Sequence, residues 1–452
     1  RFLAHSQYQN ITLIQIADIF GAAGVSFLIA MVNGLIAELI IAAGGKNLFK
    51  ISNLLKTALV CGAVVAAVIY GRWRINQSDK FIEAGPLVAA VQSNVPQSVK
   101  ESGQADSVIF DGLLRDSYAS AKAGAELIVW PETMAQAILD TGVWPFLVSS
   151  ETEKNFDNAL REHSKNTAYV LVGAPGGQIR RRKDDLSIYL ARYNSAFLYK
   201  PNGEQAKEKY NKIHLVPFGE VVPFKKSAPW LHKLLMKFTP YDYDYTLDYG
   251  SEYTVFEMAD GKKIADSNSV ERTGKEKLNA IRYTLNAKRY KFSVMICYEG
   301  TVPAIARRFA VDKQGRKRLD WLVNISNDGW FVRFRNGKVF PSTELAQHAA
   351  IYAFRAVENR LAVVRSVNTG ISCLVDTLGR IRNGFLAGTL PRQAMKRTGC
   401  AGWFVDRVPI DKRTTFFSRN GQWLDFCCAL GLCLFIMAAG VRWKMKNSRS
   451  KK

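Results

Sequence analysis

Val294-Met295-Ile296-Cys297-Tyr298-Glu299 is a short β-rich apolar run ending on one cysteine followed by a polar, acidic pair. A strand that hands over to a loop here would set a thiol at the rim of a rigid sheet. A thiolate in that place can face a pocket and attack a carbonyl carbon. Taken alone, the hexapeptide fits an inert core cysteine better, because free cysteine is among the most buried residue types. Other segments of the chain reverse that preference.

The same texture recurs on both sides. Strand-like runs lie at Leu87–Val91, Leu127–Trp130, Tyr169–Gly173, Ser195–Tyr199, Phe292–Ile296, Leu322–Ile325, Ala362–Arg365 and Ile371–Val375, with helical runs such as Val108–Gly124 and Thr343–Arg360 between several of them. This alternation predicts a layered α/β domain from Gly85 to about Ile410. Gly261–Arg289, basic and polar, and Asp312–Arg318, a short basic turn, read as insertions. Pro223–Tyr249 mixes Phe224, Trp230, Leu231, Leu234, Leu235, Met236 and Phe238 with lysines. It suits a helix packed on the core and an amphipathic arm resting on a bilayer about equally.

Lys and Arg number 62 against 39 Asp and Glu, a net charge of +23 that points to nucleic acid or an anionic membrane surface. No zinc-finger spacing, RNA-binding signature or basic helix with interleaved aromatics supports nucleic acid, so none is expected as a partner. The seven cysteines are irregularly spaced and form no disulfide framework or C-x-x-C metal site.

Apolar stretches within Ile19–Ala43, Leu54–Tyr70 and Leu424–Val441 could each span a bilayer, the second and third near the lower length limit. Lys46, Lys50 and Lys56 lie between the first two. Arg442, Lys444, Lys446, Arg449, Lys451 and Lys452 form the tail. Both basic segments read as cytoplasmic, which puts the middle of the chain on the opposite side. Arg72 and Arg74 on that far side run against the rule. The opening Arg1-Phe2-Leu3-Ala4 has no initiator methionine and no signal-peptide pattern, so the chain reads as starting inside a longer membrane domain. The expected division is 1–74 for the end of that domain, 75–422 for a catalytic domain, and 423–452 for a last membrane helix with a basic tail.

Three segments carry polar residues where burial disfavours them. Ile128-Val129-Trp130-Pro131-Glu132 ends a strand on a glutamate, and Lys212-Ile213-His214-Leu215-Val216-Pro217-Phe218-Gly219-Glu220 sets a lysine and a second glutamate around an apolar stretch. Cys297 ends the third. Brought into one pocket, Glu132 would act as general base, Lys212 would lower the thiol pKa and hold an oxyanion, and Cys297 would be the nucleophile. The backbone N–H of Tyr298 could supply a second oxyanion donor. His214 reads as structural, because a glutamate already fills the role of base. Arg355, Glu358 and Arg360 read as a helix-side salt network. Cys373, in a strand with no basic neighbour in sequence, reads as core.

These motifs and their order resemble the nitrilase, or carbon–nitrogen hydrolase, superfamily, and within it the apolipoprotein N-acyltransferase family. The resemblance also rests on Val91-Gln92-Ser93-Asn94-Val95-Pro96-Gln97, Tyr193-Asn194-Ser195, Asn324-Ile325-Ser326-Asn327-Asp328-Gly329-Trp330-Phe331, Gln347-His348, Arg355–Arg360 and Arg365–Gly370, and so covers nearly the whole chain. It implies an αββα sandwich flanked by transmembrane helices, with Glu132, Lys212 and Cys297 as the triad. Glu220 matches the additional glutamate near the lysine, Tyr298 and Glu299 the pair after the nucleophile, and Asn327 and Asp328 a segment that shapes the pocket. The implied reaction passes an acyl chain from a phospholipid, typically phosphatidylethanolamine, through a cysteine thioester to the amino group of a diacylglyceryl-cysteine. No metal or organic cofactor is implied. A multi-pass monomer in a bacterial inner membrane, with its catalytic domain in the periplasm, is expected.

Two departures stand out. Members carry several more membrane helices before the first one here, and many have a tryptophan where Lys100 is followed by Glu101 and Ser102. The alternative reading is a membrane-tethered amidase that hydrolyses a small amide with the same triad. Paired terminal membrane segments and the Phe/Trp/Leu arm argue against it, since a soluble substrate needs neither.

Overall fold

The computed structural model describes residues 2–45, 48–97, 106–181, 187–225, 227–239, 245–259, 288–335 and 338–449. The 261–289 insertion, except for its last two residues, and the Lys100-Glu101-Ser102 segment lie outside them.

Two six-stranded sheets form the centre. The first runs β14-β1-β2-β3-β4-β5, built from β1 (Ile82–Gln92), β2 (Leu127–Val129), β3 (Tyr169–Arg181), β4 (Ile188–Tyr199), β5 (Gln205–Asn211) and β14 (Gly402–Asp411). The second runs β13-β12-β11-β8-β7-β6, built from β6 (Phe256–Ala259), β7 (Arg289–Ile296), β8 (Trp321–Ser326), β11 (Ala362–Val367), β12 (Cys373–Val375) and β13 (Ile381–Arg382). Between them in sequence, β9 (Val332–Arg335) and β10 (Lys338–Pro341) make a separate hairpin. Each sheet has a parallel centre, β1-β2-β3 and β7-β8-β11, with antiparallel strands outside it. Leu127-Ile128-Val129 and Trp321-Leu322-Val323 are wholly buried, as parallel strands covered on both faces must be.

The period-2 alternation of the strands builds two cores. Val88, Ala90, Leu127, Val129 and Leu171 pack with Val294, Val323 and Val364 between the sheets. Their neighbours Ala89, Val91, Ile128, Trp130 and Val170 pack outward on Phe110 and Leu113 of α3 (Asp106–Lys122) and Leu160 of α4 (Glu151–Asn166). On the far side of the second sheet lie α6 (Pro303–Ala310) and α7 (Glu344–Asn359), the latter buried continuously from His348 to Asn359. The result is the expected αββα sandwich. The strand β14, which pairs antiparallel along β1, has no counterpart in the sequence reading. Asp406, Arg407 and Pro409 break its apolar pattern.

Among the described residues, three helices are long and apolar enough to cross a membrane: α1 (Ala17–Gly44), α2 (Ile51–Asn76) and α9 (Trp423–Arg449). The second and third are longer than the apolar stretches suggested, 26 and 27 residues, because each helix runs on through its polar flanks. At 1.5 Å per residue each exceeds the roughly 30 Å of a hydrocarbon core. Helix α1 breaks at Gly21, whose φ of +67° is left-handed. A Cβ there would sit 2.5 Å from the Phe417 ring of α8 (Phe416–Asn420), so only glycine fits. In the 223–249 segment, α5 (Pro229–Met236) buries no residue, and Trp230 and Phe238 are well exposed. It is not a helix packed on the core.

Two polar groups reach further than their sequence reading. Arg355, Glu358 and Arg360 do form a salt network, but it is fully buried and links the sandwich to the long apolar helices: Arg355 pairs with Glu358 at 2.7 Å and Arg360 with Asp18 at 2.7 Å. In the 312–318 turn, the Lys317 ammonium points inward and donates to the carbonyls of Arg360, Asp411 and Arg413.

Candidate active site

The carboxyl ends of the parallel strands converge on one spot, the place where α/β sheets present ligand-binding groups. Glu132 follows β2, Lys212 follows β5, Cys297 follows β7, Asn327 and Asp328 follow β8, and Asn368 follows β11.

Glu132 and Lys212 meet directly, with Nζ 3.3 Å from Oε1. Glu220 approaches the same ammonium at 2.7 Å. Asn194, on β4, donates through Nδ2 to Glu132 at 2.7 Å and to Glu220 at 2.8 Å, which keeps the two carboxylates together. The Asn327 N–H donates to Glu132 Oε2 at 2.7 Å, and the Val216 N–H to Glu220 Oε2 at 2.9 Å. Burial disfavours the Lys212 charge, but the carboxylates of Glu132 and Glu220 outweigh it and raise its pKa. The ammonium is therefore permanent at physiological pH.

Cys297 opens a 3₁₀ turn, Cys297–Thr301, with φ of +50°, a strained value for a residue with a Cβ. Its surroundings hold it there. Its carbonyl accepts from the Tyr352 hydroxyl at 3.1 Å and lies 3.4 Å from His348 Nε2. Glu299 is wholly buried and accepts from the Ile296 N–H at 2.7 Å, the Tyr210 hydroxyl at 2.7 Å and the N–H groups of Ile213 and His214 at 2.7 and 3.0 Å. One carboxylate thus joins the cysteine turn to the lysine segment. Gly300 passes so close to Tyr352 that a Cβ would lie 2.1 Å from its hydroxyl.

The electrostatics of the thiol differ from the sequence reading. Lys212 does pull its pKa down, as does a hydrogen bond to Ser326, but burial and the charges of Glu132 and Asp328 outweigh them and push it well up. The resting thiol is neutral, so an attack through sulfur requires a base beside it.

Asp328 is fully buried beside this cluster. It accepts from the Ser326 hydroxyl at 2.7 Å, lies 2.9 Å from His348 Nδ1 and pairs with Arg365 at 3.3 Å. Burial raises its pKa, yet His348, Arg365 and Ser326 overcome burial and leave it at about 2. Asn327 Nδ2 donates to Gln97, and its Oδ1 accepts from Asn368 at 2.9 Å. Tyr298 is the exposed member of the group, its ring stacked on His214 at 5.5 Å. Burial and Lys212 depress the His214 pKa. Cys373 is fully buried within β12.

All eight residues singled out in the sequence thus lie in one connected cluster. Asn194, Ser326, His348, Tyr352 and Arg365 complete its framework without having been assigned roles. Asn194, Ser326, His348 and Arg365 fall inside motifs that carried the resemblance, and Tyr352 had no signal beyond its helix. No group of His, Cys, Asp and Glu among the described residues could hold a metal ion.

Comparison with known proteins follows this geometry. The family model for carbon-nitrogen hydrolase matches residues 87–385, which sets the class of the sandwich and its site. A second, for the apolipoprotein N-acyltransferase N-terminal domain, matches residues 1–35. The apolipoprotein N-acyltransferase of Geobacter metallireducens is 32% identical over 438 residues, covering 95% of this chain and 67% of that protein. That of Bdellovibrio bacteriovorus is 26% identical, covering 98% and 69%. Among solved structures, a nitrilase-superfamily amidase of Nesterenkonia AN1 covers 72% of this chain and 91% of its own, at 14% identity and a TM-score of 0.41. The chain belongs to the apolipoprotein N-acyltransferase family, and it is a membrane protein.

Proposed function

We propose that this protein transfers an acyl chain from a membrane phospholipid to the N-terminal amino group of S-diacylglyceryl-cysteine in apolipoproteins, with Cys297 as nucleophile, Glu132 as base and Lys212 as oxyanion partner. The observation that carries it is the pairing of Glu132 with Lys212 at 3.3 Å beside a buried, neutral thiol on a strained turn, in a chain of this family.

Glu132 takes the thiol proton as sulfur attacks the donor ester carbonyl. The tetrahedral oxyanion is met by the Lys212 ammonium and the Tyr298 N–H. Its collapse forms the thioester and expels the lysolipid alkoxide, which leaves with the proton from Glu132. The neutral acceptor amine then attacks the thioester and gives its proton to Glu132. Collapse forms the amide, and the departing sulfur recovers that proton. Glu220 and Asn194 hold Glu132 and Lys212 in register, while Glu299, Asn327 and Asp328 shape the turn and the pocket floor.

Phosphatidylethanolamine is the proposed donor, and a diacylglyceryl apolipoprotein the acceptor. The chain works as a monomer in a bacterial inner membrane, with residues 75–422 facing the periplasm between membrane parts at 1–74 and 423–452. The exposed Trp230 of α5 and Phe238 just after it support the reading of this segment as an arm on the bilayer surface.

The test is acyl loading from phosphatidylethanolamine labelled in its acyl chain, with Cys297→Ala as control. A hydroxylamine-labile label on the protein, absent in the variant and discharged by a diacylglyceryl-peptide amine, is expected. Release of the label to water with no transfer to the amine would favour the amidase instead.

A further inference from the structure

The break in α1 leaves backbone groups without helical partners, and the groups that meet them belong to the rest of the protein. The Ala22 N–H, first after the break, donates to Glu358 Oε1 at 2.9 Å. The Ile19 carbonyl, just before it, accepts from the Trp423 indole of α9 at 2.9 Å. Gly21 itself lies against Phe417. The Thr415 hydroxyl donates to the Glu358 carbonyl at 2.5 Å, and Ser418 to Asn359 at 3.0 Å, so α8 is fastened to the end of α7 at the same point.

From Glu358 the connection continues towards the site. Its Oε1 also accepts from Arg355 NH2 at 2.7 Å, and Arg355 NH1 donates to the Gly300 carbonyl at 3.4 Å, inside the cysteine turn. One and two turns earlier on α7, Tyr352 and His348 reach the Cys297 carbonyl. The path is buried throughout, with Arg355 and Glu358 both at 0% exposure. A break in a membrane helix is thus one hydrogen bond from Glu358, Arg355 is the next link, and the third is the turn that carries the thiol.

We propose that Glu358 is a positioning residue for Cys297, fixing the Cys297–Thr301 turn, through Arg355, to the break in the first membrane helix. The proposal rests on Cys297 being the nucleophile. Membrane-helix packing at Gly21 then sets how the thiol is presented.

The readout is Cys297 alkylation by iodoacetamide, followed by peptide mass spectrometry as a function of pH on the full chain in detergent micelles. Ala22→Pro removes the N–H that Glu358 accepts, and proline is tolerated at a first helical position. Ala22→Gly keeps the N–H and serves as control. Glu358→Leu removes the other partner, and Glu358→Gln keeps an acceptor oxygen. Ala22→Pro and Glu358→Leu are each expected to slow Cys297 alkylation about tenfold, with no further loss in the double variant because both break one link. Glu358→Gln should recover to within about threefold of wild type, and labelling of Cys400 should not change. Multiplying losses in the double variant, or wild-type alkylation in folded Ala22→Pro, would overturn the proposal. If Glu358→Leu does not fold, Ala22→Pro against Ala22→Gly decides: slowing in the first alone supports it, and equal rates overturn it. A wild-type chain that shows this coupling yet takes no acyl group from phospholipid would support the positioning role and remove the acyltransferase reading.

Discussion

At the scale of single residues, the site is a small set of charges whose separate ionisation would be costly and whose grouping makes it stable. Lys212 is the clearest case. Its removal leaves Glu132 and Glu220 buried together without a cation, so Lys212→Met should destabilise the protein by about 3–5 kcal/mol as well as inactivate it. A thermal midpoint unchanged from wild type would refute that. Glu132→Gln should leave the fold in place and slow both half-reactions by about 10²–10⁴-fold, read separately as thioester formation and discharge. Asp328 gives a pH test. Its pKa is about 2 in the fold against an ordinary 3.8, so its pairing stabilises above 3.8 and that stability is lost as pH falls towards 2. Asp328→Asn should therefore lower the thermal midpoint at pH 7 and flatten its decline between those two values. The meeting of Glu132, Lys212 and Cys297 was legible in the sequence because the carboxylate and the thiol each close an apolar run and the ammonium opens one. The neutrality of the resting thiol was not, because it depends on how completely the folded chain excludes water from Cys297.

At the scale of elements, α7 has the largest part. One face meets the second sheet, and its polar residues reach the cysteine turn, Asp328 and the membrane helices. Its length was readable from periodicity. The destinations of His348, Tyr352, Arg355 and Glu358 were not, since their partners lie tens to hundreds of positions away in the chain. Likewise β14 escaped notice because its pairing with β1 is made across more than 300 residues and its own pattern is interrupted. The contact of the cysteine turn with α7 yields a prediction. Gly300→Ala forces a Cβ against Tyr352, so it should cost about 1–3 kcal/mol and slow Cys297 alkylation. Circular dichroism melting and labelling rates on the same sample check both.

At the scale of the whole molecule, membrane helices and sandwich are joined by buried charge rather than by apolar packing alone. Asp18 of α1 accepts from Arg360 at 2.7 Å, Arg74 at 2.7 Å and the Tyr70 hydroxyl at 2.7 Å, drawing together α1, α2 and the end of α7. Asp18→Asn leaves the fully buried Arg360 without its counter-ion and should cost about 3–5 kcal/mol. The two parts should then melt separately in detergent, where the wild type melts once. A last consequence comes from the charge count of the pocket. Glu132 and Glu220 face one ammonium, so this group of three carries a net negative charge beside the neutral Cys297 thiol. A phosphodiester is repelled by such a surface, whereas an uncharged ester is not. In the proposed reaction, a glycerophospholipid would then present its acyl carbonyl to the sulfur with its headgroup turned away, so the headgroup's charge would orient the donor and be no handle for Glu132 and Lys212.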